Sequence, residues 1–91
     1  VVLTTVASPD DATALVAALL DERLVACGTC LPAARSLYRW QGARQEAAEV
    51  VILLKTTTER LDALERAFTR LHPYDVPELL ALPVAAGAAP Y

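Results

Sequence analysis

Five apolar residues stand in succession at Val50-Val51-Ile52-Leu53-Leu54. Such a run is what a strand covered on both faces requires. Upstream, Ser36-Leu37-Tyr38-Arg39-Trp40 alternates polar and apolar side chains, the signature of a half-covered strand. The two segments read as arms of one hairpin, with Gln41-Gly42 starting the turn. Ala43 to Glu49 is a polar run whose register is not readable from the residues alone. Val1 to Val6 is rich in β-branched residues and reads as another strand. Ser8-Pro9-Asp10-Asp11 predicts a helix start, with Ser8 as N-cap, Pro9 in the first turn and acids at the positive dipole end. Ala12, Leu15, Val16, Leu19 and Leu20 then repeat at helical spacing, and Asp21-Glu22-Arg23 closes the helix.

Val25 to Leu31 is the next strand, interrupted at Pro32 and resumed at Ser36. A continuous strand from Val25 to Trp40 would span ~53 Å at ~3.3 Å per residue. A chain of this length has a radius of gyration of only ~12–13 Å, hence a diameter of roughly 33 Å. The expectation is therefore a bend near Pro32, where a bulge is tolerated, and a ribbon that overhangs its own domain. Thr56 to Glu59 predicts a second helix start, by a Thr56/Glu59 capping box or with Thr57 or Thr58 as N-cap. Leu61, Leu64, Phe68 and Leu71 form its stripe, and His72-Pro73 stops it. Val76 to Val84 is the last strand. The order strand, helix, strand, strand, helix, strand is the ferredoxin-like βαββαβ pattern of the α+β class, an antiparallel sheet with two helices on one face.

The chain's 91 residues make a single domain, 1–91. The 55% apolar content exceeds the usual ~45–50%, and in so small a chain the surplus points to a subunit interface. A membrane is a poor alternative, since Pro83, Gly87 and Pro90 interrupt the apolar stretch from Leu79 to Pro90. A net charge of −3 does not suit a surface that tracks phosphates, so nucleic acid is not an expected partner. Two cysteines make no disulfide framework, Val1-Val2-Leu3 shows no basic leader, and the expected compartment is cytoplasmic.

Cys27-Gly28-Thr29-Cys30 has the C-x-x-C spacing of a redox pair or half a zinc site. In a strand, however, residues three apart point to opposite faces, and buried structural thiols are the better reading. The single histidine, His72, is a candidate metal ligand with Asp75, Glu78 or Cys27 in support; the plainer reading has it bonding a helix-terminal carbonyl. Lys55 and Glu78 are candidates for an ion pair or for two exposed strand-end charges. Tyr38 and Trp40 on an overhanging ribbon are expected in a subunit interface. Three dispersed glycines form no phosphate loop, and Ser8 and Ser36 have no base nearby, so no catalysis is expected.

Arg23-Leu24-Val25-Ala26-Cys27-Gly28, Ser36 through Gly42, Glu49 through Thr56, His72-Pro73-Tyr74-Asp75-Val76-Pro77-Glu78 and Leu82-Pro83 together resemble the CutA-type divalent-ion tolerance proteins. The S-x-Y-x-W-x-G and H-P-Y-x-x-P-E blocks carry that resemblance most specifically. It implies a compact homotrimer, built like the nitrogen-regulatory PII proteins, linked to tolerance of copper and other divalent cations. Under it His72 is the best candidate ligand for weakly bound Cu²⁺, which tops the divalent affinity order. The alternative is a PII-like regulatory or scaffold trimer that takes a small molecule or protein at its subunit clefts. The sequence departs from the family pattern in three places. Thr29 and Cys30 replace Asn and an aliphatic residue, Ala33 replaces the Gly that usually follows Pro32, and a Leu- and Trp-containing tail is expected beyond Tyr91.

Overall fold

The computed structural model describes all residues, Val1–Tyr91. The elements are β1 (Val2–Val6), α1 (Pro9–Asp21), β2 (Cys27–Trp40), β3 (Ala43–Lys55), α2 (Leu61–Leu71) and β4 (Leu80–Ala81), with a 3₁₀ turn at Thr58–Arg60. The sheet order is β2-β3-β1-β4, and every neighbouring pair is antiparallel. This is the expected ferredoxin-like arrangement.

The core forms because strand alternation and helix periodicity meet. Val2 and Val6 of β1 and Val50, Ile52 and Leu54 of β3 turn one way and cluster with Leu15 and Leu19 of α1 and with Leu64 and Phe68 of α2. α1 starts as expected: the Asp11 N–H donates to Ser8 Oγ at 3.1 Å. It ends in a Schellman closure, with the Leu24 N–H on the Leu19 carbonyl and the Arg23 N–H on the Leu20 carbonyl, each at 3.0 Å. This places Arg23 at φ 58°, where glycine is usual. Gly28 explains how closely β2 approaches α1, since a Cβ there would lie 2.8 Å from Val16 Cγ1.

The long hairpin follows the expectation in outline and sharpens it in detail. β2 is one strand, and its register jumps between Leu31↔Val51 and Ala34↔Glu49, which places one extra residue on β2. Ala33 within that bulge has φ 60°. Gln41 and Gly42, at φ 50° and 78°, make the two-residue turn with positive φ at both positions that suits the twist of paired strands. Pairing continues down to Trp40↔Ala43, so the run from Ala43 to Glu49 is strand throughout. The longest dimension of the molecule is 45 Å, against 28 and 22 Å, and the hairpin overhangs as its length required.

Three expectations are corrected. Thr56 and Glu59 form no capping box: Thr56 Oγ1 donates to the Leu24 carbonyl at 2.6 Å, and a 3₁₀ turn leads into α2. The last strand shrinks from Val76–Val84 to Leu80–Ala81, because it has β1 as its only neighbour and is bracketed by Pro77 and Pro83, which lack N–H donors. The Val50–Leu54 run is not covered on both faces within one protomer, since Val51 and Leu53 are only half-buried.

Candidate functional site

The register assigns the side of the sheet away from the helices. Leu3 pairs with Leu53 and with Leu80, and Val51 pairs with Thr5 and with Leu31, so these residues share one face. No helix covers it: Leu31 is 47% and Leu80 51% exposed. The bulge matters here. Before it, odd-numbered residues of β2 occupy this face; after it, Ala34, Ser36, Tyr38 and Trp40 oppose Glu49, Ala47, Gln45 and Ala43. The extra residue therefore switches the even positions, Tyr38 and Trp40 included, onto the side that carries Leu31 and Val51. Both rings are exposed, Trp40 to 61%. The sheet part of this face is apolar, with Leu3, Leu31, Val51, Leu53 and Leu80; along the ribbon Tyr38 and Trp40 share it with Ser36, Gln45 and Glu49.

His72 lies at the opposite extreme of exposure and is buried. The extended backbone that Pro73 imposes turns it under the end of β1. The Tyr74 N–H donates to His72 Nδ1 at 3.1 Å, so the proton sits on Nε2, which faces the Thr5 carbonyl at 3.0 Å and Thr4 Oγ1 at 3.1 Å. Desolvation holds the imidazole below its usual pKa, opposed in part by the Thr5 carbonyl and the charge of Asp11. Tyr74 continues the chain of contacts by donating from its hydroxyl to Glu49 Oε2 at 3.1 Å; burial and the Glu49 carboxylate raise its pKa. His72 thus ties the segment after α2 to the first strand.

The expected metal set does not assemble around it. Both ring nitrogens are committed to protein partners, and Asp75 and Glu78 lie exposed on the following segment. No three of the histidine, cysteine, aspartate and glutamate side chains converge within the protomer. Glu78 makes no ion pair with Lys55 either; the two salt bridges are Arg35–Glu46 and Arg70–Glu22. Cys27 opposes Lys55 and Cys30 opposes Ile52, so the two thiols face opposite sides of the sheet, as strand geometry requires. They are not buried, however: Cys27 is half-buried and Cys30 exposed. Thr4 and Glu49, the partners of His72 and Tyr74, carry no local signal, because the contacts cross 68 and 25 residues of chain.

Comparison with known proteins agrees with this architecture. The family model described as "CutA1 divalent ion tolerance protein" matches residues 1–91. The divalent-cation tolerance protein CutA of Thermus thermophilus is 46% identical over 91 residues, covering all of this chain and 88% of the relative. Its namesake from Pectobacterium atrosepticum is 49% identical over 86 residues, 92% of this chain and 78% of the relative. Among solved structures, the T. thermophilus protein superposes with a TM-score of 0.94 over 99% of this chain and 87% of that one. CutA1 from Oryza sativa, at 37% identity, gives 0.95 over 99% and 83%. With the whole chain matched in sequence and in backbone, the protein belongs to the CutA1 divalent-ion tolerance family.

Proposed function

We propose that this protein is a cytoplasmic homotrimer that protects against divalent cations by binding them weakly, copper(II) foremost, without catalysing a reaction. The single observation behind this reading is the match to a divalent-ion tolerance family over every residue of the chain. Relatives named for tolerance rather than for a reaction are in keeping with it. Self-association is supported by the uncovered apolar face, since contiguous exposed apolar surface marks an interaction site. Tyr38 and Trp40 extend that face as anchors beyond their own subunit. The exposed Cys30 thiol fits a reducing compartment.

For the cation, Asp75 and Glu78 are the accessible oxygen donors on the segment that His72 anchors, and a complete site would need donors from a second subunit. His72 acts in this reading by positioning that segment rather than as a ligand. The test combines light scattering with calorimetric Cu²⁺ titration. The expected results are a mass three times the 9.7 kDa protomer and binding weakened in Asp75→Asn/Glu78→Gln. Unchanged binding in that double variant would remove the carboxylates from the site. A monomeric wild type would remove the assembly.

A further inference from the structure

Three of the eight basic side chains of this acidic protein, Arg23, Lys55 and Arg60, line one cavity of about 710 Å³, and none of its eleven acidic residues does. The cavity lies between the C-terminal end of α1, the start of β2 and the 3₁₀ turn. Its volume is within the ~300–1,000 Å³ range of small-molecule sites. None of the three cations is in a salt bridge. Arg23 and Arg60 are exposed and Lys55 is half-buried, so the three charges are solvated, and gathered at one concavity they raise the local concentration of anions.

The cations are also held in place. Arg60 Nε donates to the Arg23 carbonyl at 3.0 Å and its Nη1 to Thr57 Oγ1 at 3.1 Å. This fixes the plane of the guanidinium and leaves its other N–H groups free. Lys55 stands at the end of β3 opposite Cys27, with its Nζ 5.6 Å from the centre of the Tyr91 ring. The helix end nearby would repel an anion through its bare carbonyls, but the Schellman bonds occupy those of Leu19 and Leu20. The other wall is apolar, with Leu20 and the buried Val25.

We propose that this cavity binds a small organic phosphate, its phosphate among Arg23, Lys55 and Arg60 and its apolar body against Leu20 and Val25. A planar fork fixed by hydrogen bonds suits the oxygens of a phosphate, and a lysine adds a mobile point charge. The site is independent of the cation reading, because it uses none of Asp75, Glu78 or His72.

The probe is phenyl phosphate, titrated calorimetrically into the metal-free assembled protein at constant ionic strength, with phenol and inorganic phosphate as the two halves of the ligand. Phenyl phosphate should bind more tightly than either half. Lys55→Gln and Arg60→Gln should each weaken it by about tenfold, the loss of one charge-assisted contact. Arg66→Gln, which removes an exposed charge from α2 outside the cavity, should change nothing. A second readout does not depend on the variants folding: bound phenyl phosphate should slow N-ethylmaleimide alkylation of Cys27, which lines the cavity, and leave Cys30 unaffected. Equal binding of phenol, equal weakening by Arg66→Gln, or unprotected Cys27 at saturating phenyl phosphate would each overturn the proposal.

Discussion

Gly28 sits where β2 crosses α1, and substituting it tests whether the helix-to-sheet distance is set by packing. An alanine methyl there would lie 2.8 and 2.9 Å from the two Cγ atoms of Val16 and 3.1 Å from Leu54 Cδ2. Carbon atoms prefer about 3.5–4.0 Å, so all three contacts are repulsive. Val16 cannot swing away cheaply, because its branched side chain has one favoured rotamer in a helix. Overpacking of this kind costs about 1–3 kcal/mol, against which alanine regains roughly 0.5–1 kcal/mol of chain entropy in the unfolded state. The expected net loss for Gly28→Ala is therefore about 1–2 kcal/mol, or roughly 4–16 °C in Tm for a domain of this size. Val16→Ala alone should also destabilise, by about 1–2 kcal/mol, through the two methyl groups it removes. In the double variant the new methyl enters the space vacated by Val16, so the two losses should fall short of their sum by at least ~1 kcal/mol. Equilibrium urea unfolding at one fixed protomer concentration measures this, since the midpoint of an associating protein moves with concentration. Strictly additive losses, or a Gly28→Ala variant as stable as wild type, would refute the close-packing account.

Ala33→Gly should stabilise by about 0.5–1 kcal/mol in the same assay, because relief of the left-handed strain at φ 60° outweighs the added freedom of the unfolded chain. Lowering the pH should destabilise the protein as it falls below 6.5: the folded imidazole of His72 resists a proton that the unfolded one accepts, so its contribution is complete above that value and is lost on the way down to its depressed folded pKa. Unfolding curves at pH 7.5 and 5.5 should differ less in His72→Gln than in wild type. Leu53→Glu, placed centrally on the uncovered face, should yield a monomer by light scattering while the circular dichroism spectrum of the fold persists; an intact oligomer would exclude that face from the interface.

Local rules made much of the fold legible. The Ser8 cap, the α1 stripe from Ala12 to Leu19 and the stop at His72-Pro73 each need only a few neighbouring residues, and each was found where the pattern put it; the alternation of Ser36 to Trp40 marks a strand, but Leu37 to Trp40 are exposed on both of its sides. The overhang of the hairpin was legible for the same reason, since rise per residue is a local quantity. The candidate site was less legible. His72 was identifiable as a singular residue but not as a buried one, because its partners Thr4, Thr5 and Tyr74 are mostly brought to it by the fold. The thiols looked like core residues, yet nothing in the protomer covers Cys30.

The sequence by itself determined the order of elements, the Ser8 cap, the Gln41-Gly42 turn, the family, and the presence of more apolar surface than one small domain can hide. Tertiary structure alone decided where that surface lies. One bulge residue near Ala33 shifts the strand's parity and turns Tyr38 and Trp40 to the side of Leu31 and Val51. It likewise decided that Arg23, Lys55 and Arg60, far apart in the chain, share a cavity without an acid among them. The physical reason is the same in both cases: periodicity records which way a side chain points along its own strand or helix, whereas register and packing determine what stands opposite it.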